Sequence, residues 1–123
     1  PERLPVWFQE GLGPALVALD DAQSSDAIAR HHQAVTALRR DTPLRPMLTL
    51  TYESKEWPGP ENIAKSFGYL TVLALFRLYP EQTVQWIRAM KFGVPWVEAL
   101  HQTLGLTPAQ LVGVVSQYWR LND

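Results

Sequence analysis

The 123-residue chain contains no cysteine. Disulfides and thiolate metal sites are therefore excluded, while reducing and oxidising compartments both remain open. It has no basic block: 11 Lys and Arg are set against 12 Asp and Glu, for a formal net charge of −1. A surface so balanced gives no electrostatic footprint for nucleic acid or for an anionic membrane. It has no long hydrophobic run. The longest, "YLTVLALF" at residues 69–76, ends at Arg77 and falls far short of the ~20 residues that a membrane span needs. No internal repeat is visible, which argues against a solenoid. The chain opens at Pro1 without an initiating Met or a charged-then-apolar leader, as expected of a processed form or a fragment.

What the chain has in quantity is material for a core. Apolar residues make up 46% and charged residues 19%, and five Trp, four Tyr and four Phe supply large groups to bury. This composition is globular rather than disordered, and the length suits one domain spanning residues 1–123.

Hydrophobic spacing predicts an all-α fold of about five to six helices. In the first segment Phe8, Leu12, Leu16 and Leu19 recur at helical intervals, with a break or kink expected at Gly13–Pro14 because Pro14 lacks an amide and biases its neighbour away from helical backbone. A second helix is expected over residues 25–40, capped by Ser24 or Ser25, with Asp26 at the positive end of its dipole and Ile28, Val35 and Leu38 as its apolar stripe. Residues 43–60 break the pattern. Leu48, Leu50 and Tyr52 alternate with Thr49 and Thr51 as in a short strand or an irregular extended segment, and "WPGP" is loop punctuation. Residues 61–79 are apolar almost all round, the mark of a central helix. Three shorter helices follow. One begins at Pro80 and stops at Gly93, with Val84, Ile87 and Met90 inward. The next begins at Pro95 and stops at Gly105, with Trp96, Val97, Leu100 and Leu104 inward. The last is opened by the capping box "TPAQ" at residues 107–110 and buries Leu111, Val115 and Tyr118.

Two stretches carry a family resemblance. "PVWFQEGLG", residues 5–13, resembles the segment that follows the HExxH helix in gluzincin-type zinc metallopeptidases of the peptidase MA-like group. That segment has a Pro-x-Trp-x-x-Glu-Gly pattern whose glutamate is the third zinc ligand. Pro5, Trp7, Glu10 and Gly11 match it. Residues 67–111 are similar to the helical tail of the same group, with a central apolar helix ending in Tyr and a turn, a helix closed by Gly, and a capped final helix. The resemblance implies that the chain is the C-terminal helical part of a zinc peptidase. Glu10 would be the zinc ligand, and peptide hydrolysis would be the activity of the whole protein. Zinc and a peptide substrate then belong to the whole protein, and this chain alone holds no catalytic residue, no cofactor and no activity. No HExxH occurs in the sequence. A Tyr near the start of the family's central helix has only Tyr69 as a loose counterpart, with Lys65 near its place.

The residues themselves allow plainer readings. From spacing alone, Glu10 shares a helical face with Trp7 and Val17. There a carboxylate can be held by Arg, Lys or backbone amides, or can be solvated. A lone Glu cannot hold zinc, because catalytic sites take about three protein ligands. His31 and His32 are adjacent and diverge by about 100° on a helix, so they cannot chelate as an i, i+4 pair does. His31 is expected to tuck into the core edge with one nitrogen bonded, and His101 reads as surface. Trp57, Trp86, Trp96 and Trp119 read as core or rim. The competing function is a non-catalytic helical module for protein interaction or oligomerisation. Self-association is expected on either reading, because the central helix needs cover on several sides and residues 47–52 lack a strand partner within the chain.

Overall fold

The computed structural model describes residues 4–21, 23–38 and 61–121. Six helices run in order: α1 Val6–Asp20, α2 Ser25–Leu38, α3 Glu61–Leu78, α4 Pro80–Lys91, α5 Trp96–Leu104 and α6 Pro108–Trp119. The fold is all-α, with no strand among the described residues. None of these helices is long and apolar enough to cross a membrane. The expected extended segment at 43–60, with its alternating Leu48, Leu50 and Tyr52 and with Trp57, lies outside the described residues.

α3 is the central helix. Its residues 67–75 are buried without interruption, polar Thr71 included. Each fully buried Leu or Phe of that run contributes about 1.5–3 kcal/mol from removal of apolar surface from water. α1, α2, α4 and α6 all pack on it. The helix is therefore covered within the chain over residues 67–75, while Leu78 at its end is exposed.

α1 departs most from the sequence expectation. It runs unbroken through Gly13 and Pro14. Its buried face is Trp7, Phe8, Gly11, Ala15 and Ala18, while Leu16 and Leu19 point outward. The physical reason is close approach. A Cβ on Gly11 would collide with the backbone of Gly68, and one on Gly68 would collide with the Trp7 carbonyl. Two backbones this near admit only small side chains, so the larger leucines are turned away. Tertiary packing on both sides of Pro14 outweighs the local proline penalty, because Gly11 lies before it and Ala15 and Ala18 lie after it on the same buried face. Pro14 still leaves its mark: without an N–H it cannot donate to the Glu10 carbonyl, four residues back.

The punctuation of the second half is as expected. At the end of α4, the amide of Gly93 donates to the Met90 carbonyl and that of Val94 to Ala89, a Schellman closure with Gly93 at φ 101°. Gly105 closes α5 at φ 68°. Thr107 and Gln110 form a reciprocal capping box on α6. The inward faces differ in detail. α4 buries Thr83, Trp86 and Met90, with Val84 outward; α5 buries Ala99 and Leu100, with Val97 outward. In α4 Met90 is inward as expected, while Thr83 and Trp86 take the places expected of Val84 and Ile87. This brings the Trp86 indole into the core and lets the Thr83 hydroxyl donate to the Leu75 carbonyl at 3.0 Å.

Candidate functional site

The motif at residues 5–11 divides its labour. Pro5 precedes the first turn of α1, and its carbonyl accepts from the amides of Phe8 and Gln9. Trp7 is fully buried in an aromatic cluster. Its ring lies 5.3 Å from Phe67, 5.6 Å from Trp96 and 6.3 Å from Trp86, edge-on to the first two and stacked on the third. Gly11 is the backbone contact with α3. Glu10 stands between these anchors, half-buried and engaged rather than free. Its expected face-mates part company: Trp7 is in the core and Val17 is exposed.

Zinc chemistry would need more than this carboxylate. Among the described residues no three His, Cys, Asp or Glu side chains gather where they could hold a metal. His32 and His101 are exposed on separate helices.

His31 occupies a different place. α2 begins at a Ser24 cap, whose Oγ accepts from the Ala27 amide at 3.1 Å. From there Ala27, Ala34 and Leu38 are buried, Val35 is half-buried, and Ile28, expected in the stripe, is exposed. His31 lies on the same side as Ala27, Ala34 and Val35, and its Nδ1 is 2.9 Å from the Tyr69 hydroxyl. Tyr69 is almost wholly buried on α3, and Nδ1 is its hydrogen-bond partner among the described residues. A buried phenol needs an acceptor for its proton, which assigns the O–H to that bond. Nδ1 is then the acceptor, and the ring proton falls on Nε2. Burial lowers the His31 pKa below the ordinary imidazole value, with Arg77 and then His32 adding to the effect. Burial pushes the Tyr69 hydroxyl up, against smaller opposing effects of Arg77 and Arg30. Both groups are thus held neutral around pH 7, the states that this hydrogen bond requires.

Trp119, near the end of α6, completes the cluster. Its indole nitrogen donates to the Leu70 carbonyl at 2.9 Å, its ring centre is 4.8 Å from that of His31, and the Arg77 guanidinium carbon sits 5.8 Å from its centre. Between α2, α3 and the end of α6 these side chains line a pocket of about 510 Å³, together with Ala18, Gln23, Ala27, Ile28, His32 and Val35. A smaller hollow of about 220 Å³, with Lys65, Arg30 and Pro14 in its walls, shares Tyr69 with it.

Sequence reasoning found His31 and its bonded nitrogen, but not its partner. Tyr69 stood inside an apolar run and Arg77 merely ended one. The usable signal was the pairing of a polar-tipped aromatic on an all-buried helix with a histidine on an inner helical face. Each needs a partner, and each can supply the other's. In comparisons with protein-family profiles, curated proteins and solved structures, the chain matches none.

Proposed function

We propose that this chain is the C-terminal helical part of a gluzincin-like zinc metallopeptidase, to which it contributes Glu10 as one metal ligand. The observation that supports the reading is the division of labour within Pro5-x-Trp7-x-x-Glu10-Gly11. Trp7 and Gly11 lock α1 against α3, three residues before and one residue after Glu10. The carboxylate is thereby held on a rigid element between two anchors, which is what a metal ligand requires of its scaffold. The remaining ligands and the catalytic base have to come from an HExxH helix outside this chain, so the chain alone neither binds zinc stoichiometrically nor hydrolyses peptides.

Metal analysis tests this. In a protein that joins an HExxH segment to this chain, Glu10→Gln is expected to weaken zinc binding strongly, since one of about three protein ligands is lost. Zinc affinity indifferent to that change overturns the reading. So does one zinc held tightly by this chain alone and released by Glu10→Ala.

The second reading is self-association as a helical module. It is favoured by the outer face of α1, where Leu16, Val17 and Leu19 are 47%, 51% and 41% exposed. These residues, rather than α3, are the surface through which we expect copies to pair.

A further inference from the structure

The pocket between α2, α3 and α6 has a built polar end and an apolar wall. Its volume of about 510 Å³ lies within the ~300–1,000 Å³ usual for small-molecule sites. Among the described residues its charged and titratable lining is Arg77, His31, His32 and the neutral Tyr69, with no carboxylate. Arg77 rests over the Trp119 ring and has no carboxylate partner among the described residues. The Tyr69 hydroxyl occupies Nδ1 of His31, so Nε2–H is a second donor, without a partner among the described residues. Trp119 and Tyr69 are held rigidly, one by the Leu70 carbonyl and the other by burial. The donor side is therefore preorganised before any ligand arrives. The other wall is Ala27, Ile28 and Val35, one face of α2. Ile28 is 54% exposed there, a large apolar side chain at the pocket that the core does not use.

We propose that this pocket binds a small organic carboxylate with an aromatic or branched apolar body. Arg77 pairs with the carboxylate and His31 Nε2–H donates to it, while Ile28, Val35 and Trp119 enclose the body. Arg suits this role because its planar fork matches a carboxylate with two parallel hydrogen bonds. An amine finds no acceptor charge among the described lining residues, and a neutral alcohol loses the ion pair. Selection is therefore by charge sign as well as by shape. The site stands apart from Glu10 and does not rest on the metallopeptidase reading.

Three probes of one shape and different charge test the proposal by calorimetric titration of this chain: phenylbutyrate, phenylbutanol and phenylbutylamine. Phenylbutyrate is expected to bind at least about tenfold more tightly than either of the others. Arg77→Gln, at an exposed side chain, is expected to remove that preference while the circular dichroism and melting profile stay those of the native chain. Ile28→Asp, also at an exposed position, places a carboxylate on the pocket wall. It is expected to weaken phenylbutyrate binding by about tenfold or more and to strengthen binding of the amine. The proposal is overturned by equal affinity for the three probes, by no measurable binding of phenylbutyrate, or by a carboxylate preference that survives Arg77→Gln.

Discussion

Gly11 of α1 and Gly68 of α3 meet backbone to backbone, with no side chain between them. This contact sets the depth at which α1 sits. It also carries Trp7 into the aromatic cluster and fixes the height of Glu10.

The contact predicts a sharp contrast between glycines. A methyl group on Gly11 meets backbone atoms that cannot swing aside, so Gly11→Ala is expected to destabilise the chain by about 3 kcal/mol or more. Gly113, inside α6, has open space where its Cβ would stand. There Ala removes the helix penalty of glycine, and Gly113→Ala is expected to stabilise by about 0.5–1 kcal/mol. Urea denaturation of the two variants checks both signs. A neutral Gly11→Ala would mean that α1 does not sit this close to α3.

A second pair of residues separates packing from hydrogen bonding. Trp7 and Trp86 are both fully buried and stacked on one another. Trp86 donates from its indole nitrogen to the Trp96 carbonyl at 3.3 Å, whereas that of Trp7 is buried with no partner among the described residues. Replacing either by Phe loses similar volume. Trp86→Phe also breaks a bond, while Trp7→Phe removes an orphaned donor. Trp86→Phe is therefore expected to be the costlier, by about 1–2 kcal/mol. Equal losses in chemical denaturation would count against the difference in bonding.

The fold was legible where local chemistry decides it. Gly93, Gly105 and the Thr107–Gln110 box ended and began helices where expected, because caps act within a few residues. The all-round apolar run from Phe67 to Leu75 gave the central helix. The α1 face was legible only at its start. Counting large apolar residues selects Phe8, which is buried, and Leu12, Leu16 and Leu19, yet beyond Phe8 the buried stripe is built from the small Gly11, Ala15 and Ala18. Their value appears only once the partner helix is known to press backbone on backbone at Gly68. The pocket was half legible for the same reason. His31 announced itself by its place on α2, but Tyr69, Arg77 and Trp119 are 38, 46 and 88 positions further along, and only the tertiary arrangement brings them together.

Self-association through α1 predicts a charge-reversible effect. Leu16 and Val17 are exposed, so Leu16→Glu or Val17→Lys leaves the core intact. Sedimentation over a range of concentrations is expected to show association in the native chain and its loss in either variant. A concentration-independent monomer for the native chain removes the reading. Association that persists in both variants moves the interface away from α1.

The bond between His31 and Tyr69 predicts how stability depends on pH. In the folded chain, burial, aided by Arg77 and His32, holds the His31 pKa below the ordinary 6.5. Between that lowered value and 6.5 the unfolded chain binds more protons than the folded one, so stability rises with pH through this window. The contribution is complete above 6.5 and is lost as pH falls through the folded value. Protonation also puts a hydrogen on Nδ1, where the Tyr69 hydroxyl donates, so the bond and the charge state fail together. Tyr69 has the opposite sense. Its pKa is raised above the ordinary 10.0, mainly by burial, so its contribution is present below 10.0 and is lost as pH rises through the folded value. Thermal melting from about pH 7.5 to about pH 5, compared between the native chain and His31→Gln, isolates the histidine, because glutamine still accepts from Tyr69 but does not titrate. On acidification the native chain is expected to lose stability faster than the variant. Parallel curves across that range would show that folding does not hold His31 neutral, and would leave the tautomer that points Nε2–H away from Tyr69 without support.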